Sequence, residues 1–183
     1  MKTMPVQKIA LTALFVTLTV IGAFIQIPTA WVSFTLQILF VFLAGALLGP
    51  KYGALSQIVY VVLGLAGFHV FTKGGGIGYV FQPSFGFLLG YIPGAFIVGK
   101  ILEKKKAAVP RIILACVAAL AAIYAVGLPY MAWVLNGYMG RNLSFGTILK
   151  SGCLIFLPWD ALKIAATAIL ARILIPVLRR SGC

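Results

Sequence analysis

Two oppositely charged residues, Asp160 and Lys163, stand three positions apart in "LPWDALK" (157–163), inside a run that is otherwise almost entirely apolar. The spacing puts both on one face of a helix. Ionisable groups at membrane depth cost about 2.5–3.5 kcal/mol each at a central position and usually mark function, which points to a ligand role for the pair. Two structural readings stand beside that role. With Pro158 at the first helical position, Asp160 falls near the third, where a carboxylate favours the helix dipole and the orphan N–H groups. Alternatively the two charges simply neutralise each other, although apolar packing could do that job more cheaply. The readings are compatible, because a capped and paired carboxylate is also a preorganised one.

Other residues offer less chemistry. The stretch "GGGIG" (74–78) lacks the GxxxxGK[ST] pattern of a phosphate loop, so its glycines read as a tight turn or a close backbone approach. His69 is the lone histidine, and a metal site needs several ligands. Cys116, Cys153 and Cys183 show neither CxxC nor Cys/His spacing. The second acid, Glu103, lies in the basic stretch "KILEKKK" (100–106), far from Asp160 in sequence. No carboxylate dyad, Ser/His/Asp set or ATP motif is evident, so neither an enzyme nor a cofactor is expected. Transport against a gradient would draw its energy from another subunit.

The elements that carry these residues follow from composition. The chain has 183 residues, 62% hydrophobic and 9% charged, against roughly 25% charged in soluble domains. Lipid is the expected solvent, and a spanning helix needs about 20 mostly apolar residues. Run lengths and punctuation predict an all-α membrane bundle of six transmembrane helices, one domain over 1–183, with spans near 9–27, 35–48, 54–68, 83–101, 112–135 and 157–178. The apolar run after Lys8 is as long as a span and lacks a small-x-small cleavage site, so a cleavable signal peptide is not expected. The net charge is +13, yet the basic residues punctuate apolar segments instead of forming a stripe, which argues against nucleic acid.

Six spans put both termini on one side. That side holds eleven basic residues (Lys2, Lys8, Lys51, Lys100, Lys104, Lys105, Lys106, Arg111, Arg172, Arg179, Arg180), and the other holds three (Lys73, Arg141, Lys150). Lys163 alone lies within a span. The bias predicts cytoplasmic N- and C-termini. Loops 28–34, 69–82 and 136–156 then face outward, carrying Trp31, Phe34, Tyr79, Phe81 and Tyr138. Such aromatics form an interfacial belt or, on loops positioned by a rigid scaffold, the cap of a cavity open to the outside.

The chain resembles BioY, the biotin-binding S component of energy-coupling factor (ECF) vitamin transporters. The resemblance rests on "FTLQILFVFLAGALLGPKYGALSQIVYVVLGLAGF" (34–68), "FTKGGGIGYVFQPSFGFLLGYI" (71–92) and "LPWDALK" (157–163), in that order and across nearly the whole chain. It implies capture of biotin from outside, in a multi-pass protein of the bacterial plasma membrane. The implied partners are a transmembrane coupling protein and two ABC-type ATPases. It places Asp160 and Lys163 in the substrate site, the glycine-rich outer loop at 73–79, and the first loop, which closes over the ligand, at about 28–35. Where some family members carry Asn near the end of the glycine run, this chain has Tyr79. Small residues at AxxxA spacing on the first helix dock the coupling protein in such components; here Ala10, Ala13 and Thr17 follow that spacing approximately. Biotin's ureido ring has two N–H donors and a carbonyl, so Asp160 would accept from N–H and Lys163 would donate to the carbonyl or reach the valerate carboxylate. Trp31, Phe34, Tyr79 and Phe81 would supply aromatic walls. The remaining alternatives are an S component for another small vitamin and a membrane scaffold with no ligand.

Overall fold

A computed structural model describes residues 6–29, 31–103 and 108–180, the side chains of Arg179 and Arg180 excepted. The first helix, α1 (Val6–Phe24), buries Phe15, Val16 and Ala23 while Ile9, Leu14, Ile21 and Phe24 face outward. A helix apolar on every side suits lipid on one face and protein on the other. Its buried hydroxyls bond within the helix, Thr12 donating to the Lys8 carbonyl at 2.7 Å and Thr19 to that of Phe15 at 2.8 Å. Two short strands follow, β1 (Gln26–Ile27) and β2 (Phe34–Thr35), paired antiparallel with Gln26 opposite Thr35. They pinch together the ends of a strap, of which residues 28, 29 and 31–33 are described.

The second and third expected spans form one helical run, α2 (Gln37–Leu65), interrupted at Gly49 (φ 78°, ψ −178°). Pro50 follows, with no N–H to carry the helix on. A Cβ on Gly53 would lie 2.9 Å from the Gly45 Cα, whereas eight residues of straight helix cover about 12 Å. The chain therefore doubles back at Gly49, and "GPKYG", expected as a loop, contracts to one non-helical residue. A Cβ on Gly45 would meet the Ala95 carbonyl oxygen at 2.3 Å, and one on Gly99 would meet the Pro50 nitrogen at 2.4 Å. Bare glycines thus let α3 (Phe85–Leu102) close onto both arms of α2.

A short 3-10 turn (Ile77–Phe81) precedes α3. Next comes α4 (Val109–Ala132), prolonged by a π turn (Trp133–Tyr138). The expected outer loop 136–156 is partly helical: α5 (Phe145–Leu149), capped by Ser144 accepting from the Thr147 N–H at 3.3 Å, runs into a π turn (Lys150–Leu154). The last helix, α6 (Leu157–Arg180), starts where the sequence predicted and ends two residues later.

Five helical runs are long and apolar enough to cross a membrane among the described residues, with Gln37–Leu65 counted as one and Phe145–Leu178 as one. The core is centred where α2, α3 and α4 meet, around Phe42, Val98, Ile112, Ala119 and Ile123. Lys8 of α1, the Gly49 break, Glu103 after α3 and Leu178 of α6 surround one cavity of about 170 Å³, so the corresponding ends of these elements share one end of the bundle. The strap, the glycine loop and Asp160 gather elsewhere, around a second set of cavities.

Candidate functional site

Asp160 lies in the first turn of α6, and its backbone N–H donates to the Phe156 carbonyl at 2.9 Å. Its carboxylate turns to side chains. Lys163 Nζ donates to Oδ1 at 2.9 Å, and the Tyr124 hydroxyl, arriving from α4, donates to Oδ2. Both charges are enclosed, with Asp160 1% and Lys163 5% exposed. The ammonium also sits 4.3 Å from the centre of the Phe34 ring, where the negative face of the π-system attracts a cation. Phe34 in turn packs against Trp159 at 5.2 Å and Phe156 at 6.3 Å. Each carboxylate oxygen has one partner and retains a lone pair, and the ammonium retains donors, so the pair can accept and donate toward a third molecule.

What these groups face is a cavity in two chambers that share Val32, Ser33, Thr35, Phe87 and Tyr91. The first, about 30 Å³, is bounded by Tyr124, Phe156, Asp160 and Lys163. The second, about 20 Å³, is bounded by Gln37, Thr72, Tyr79 and Ser84. Its polar groups are mutually satisfied. Tyr79 OH lies 2.9 Å from Thr72 Oγ1 and 3.3 Å from Ser84 Oγ, and the Gln37 amide donates to Tyr60 OH at 2.7 Å. The cavity therefore has a charged pole and a neutral hydroxyl pole, with apolar Phe87 and Val32 between them.

The glycine run shapes the second pole. Gly74 and Gly76 adopt φ of 111° and 97°, open to glycine and strained for other residues. Gly75 has an ordinary φ, but a Cβ there would lie 2.1 Å from the Phe68 carbonyl oxygen. The Gly76 N–H donates to the Gly64 carbonyl at 2.7 Å, which pulls the loop down onto the end of α2. This is the close backbone approach expected from "GGGIG".

Of the residues singled out in the sequence, the structure brings Asp160, Lys163 and Phe34 into contact and sets Tyr79 in the wall of the second chamber. Trp31 belongs to the strap, half-buried against the core and outside both chambers, with the Arg141 guanidinium 5.5 Å from its ring. Phe81 is 41% exposed and stacks on Tyr138 at 4.6 Å, outside both chambers. Ala10, Ala13 and Thr17 occupy the exposed side of α1, where Thr17 donates to the Ala13 carbonyl at 3.1 Å. Sequence reasoning passed over Tyr124, Tyr91, Thr35 and Ser84. For Tyr124 the signal was a lone hydroxyl in the apolar run "ACVAALAAIYAVGL" (115–128).

The chain as a whole is similar to known proteins. The sequence model of the BioY family matches residues 1–180. A Lysinibacillus sphaericus protein named "Probable biotin transporter BioY" is 41% identical over 173 residues, 94% of this chain and 88% of that protein. The biotin transporter BioY of Thermotoga maritima is 37% identical over 166 residues, 90% of this chain and 94% of its own. Among solved structures, the S-component for biotin from an ECF-type ABC transporter superposes with a TM-score of 0.70 at 27% identity, covering 94% of each chain.

Proposed function

The chain belongs to the BioY family, and from that premise we propose that it captures biotin outside the cell as the S component of an ECF transporter. The family is one of transporter components, not enzymes, and this member is a multi-pass protein of the bacterial membrane. One observation carries the biotin reading: an ion pair, Asp160 with Lys163, is buried in the wall of an internal cavity and steadied by Tyr124. Asp160 accepts from a ureido N–H, and Lys163 donates to the ureido carbonyl. Both bonds are charge-assisted, roughly twice as strong as neutral ones. Tyr79, Phe87, Tyr91 and Phe156 furnish the aromatic surroundings of the bicycle and its chain, with Phe34 over the ammonium, whereas Trp31 and Phe81, expected as walls, lie outside the chambers.

Chambers of about 30 and 20 Å³ each take about one water. A bicyclic vitamin is far larger, so the strap over 28–35 lifts to admit it and closes again behind it. Phe34 moves with the strap, which uncovers the ammonium at the moment the cavity opens. The reversal at Gly49 and the gathering of Lys8, Glu103 and Leu178 at one end support six spans with cytoplasmic termini. Uptake against a gradient is then driven by a transmembrane coupling protein with two ABC-type ATPases, docked on the face of α1 that carries Ala10, Ala13 and Thr17.

Calorimetry on the detergent-purified protein tests the site. Biotin binds tightly, and Asp160→Asn and Lys163→Ala each weaken it at least about tenfold, the scale of one hydrogen bond to a charged group. Unchanged affinity in both variants removes the pair from the site. A panel of other small vitamins that leaves the melting temperature unmoved, where biotin raises it, assigns the ligand.

A further inference from the structure

On the opposite side of α6 from the ion pair, α4 and α6 diverge and leave an open groove of about 450 Å³, lined by Val109 and Ile113 on α4 and by Ala165, Ile169, Arg172 and Ile173 on α6. Its rim is apolar and outward-facing, with Ile113 40%, Ile169 63% and Ile173 61% exposed. Its floor is shallow-chained, with Ala165 and the buried Ala168. A single charge interrupts this lining. Arg172 shares this lining with Val109, the first residue of α4.

We infer that this groove holds one anionic phospholipid, with its phosphate on the Arg172 guanidinium and an acyl chain lying between Ile113 and Ile169. Charge complementarity selects the occupant. The chain has only two acidic side chains, and each is already paired with a lysine, Asp160 with Lys163 and Glu103 with Lys100. Neither stands near Arg172 in the groove lining. The partner anion is therefore expected from outside the chain. A guanidinium forms two parallel hydrogen bonds with a phosphate. The rest of the groove presents methyl and methylene groups, which match an acyl chain. Because Arg172 lines the groove with Val109, where α4 begins, its long side chain can extend toward headgroup depth at that end of the span.

The test is native mass spectrometry of the detergent-purified full chain offered equal amounts of phosphatidylglycerol and phosphatidylcholine. The wild type retains one phosphatidylglycerol in about fivefold preference, the scale of one Arg beside an anionic headgroup. Arg172→Gln abolishes the preference. Ala165→Phe, which fills the groove, lowers retention of both lipids. Lys150→Gln, at a site away from the groove, leaves the preference intact, and unchanged helicity by circular dichroism shows that each variant is folded. Equal retention of the two lipids by the wild type overturns the inference, as does an Arg172→Gln protein that keeps the preference. A dimer mass in the wild type that becomes monomer in Ala165→Phe also overturns it, because the groove would then be an interface between copies of the chain.

Discussion

Asp160 is held from two directions, by Lys163 at i+3 and by Tyr124 from another helix. The first partner is local and was legible in the sequence, since a carboxylate and an ammonium are conspicuous in a chain that is 9% charged. The second was not, because a tyrosine in an apolar span reads as one more large side chain until the packing of α4 against α6 is known. Tyr124 also differs from Lys163 in what it leaves behind. Removing Lys163 strands a buried carboxylate, a change of about 3–5 kcal/mol. Tyr124→Phe keeps the ion pair and the ring, and frees only Oδ2 to rotate. Its effect on biotin affinity is therefore smaller, a loss of about 5- to 10-fold, the range of one hydrogen bond. Calorimetry that finds Tyr124→Phe as damaging as Asp160→Asn would make the tyrosine a direct ligand contact instead of a support.

Between elements, the arrangement depends on glycines at the contact of α2 with α3. Gly45 leaves no room for a side chain against the Ala95 carbonyl, and overpacking of this kind costs about 1–3 kcal/mol. Gly78, whose added Cβ would meet nothing within 4 Å, is the matched control. Gly45→Leu is expected to lower the melting temperature of the detergent-solubilised protein clearly, while Gly78→Ala stays within the small range of surface changes, about 0.5 kcal/mol. Equal melting curves would mean that α3 can shift away from α2 at little expense. The same glycines explain what was readable at this scale. Run length located the helices to within a few residues, because an apolar run ends where lipid ends. The reversal at 49–53 was expected, but its contraction to the single non-helical residue Gly49 and the helical character of 145–154 were hidden, since neither is written in hydropathy.

Over the molecule as a whole, the proposed topology and the proposed opening of the strap can each be tested. The eleven basic residues counted to one side of the sequence predict the orientation. With the native cysteines replaced by serine, a Lys73→Cys protein in intact cells is expected to react with a membrane-impermeant maleimide and a Lys100→Cys protein only after lysis. The reverse pattern would invert the proposed topology. In the proposed mechanism the outer end holds the moving part. There the strap is tied at its base by the β1–β2 ladder and at its crown by Arg141 over Trp31. Arg141 sits in the segment between α4 and α5, whose Asn136 side chain bonds the Leu143 backbone twice, at 2.9 and 2.7 Å. That braced segment holds the strap through the Arg141–Trp31 cation–π contact, worth about 0.5–1 kcal/mol at an exposed site. Loss of the contact favours the open strap without touching the ion pair. Arg141→Gln is therefore expected to raise the biotin release rate about 2- to 5-fold, and to raise the association rate as well, because opening precedes entry. Surface plasmon resonance on immobilised protein separates the two rates. A release rate equal to that of wild type would show that the ladder, not the arginine, keeps the strap closed.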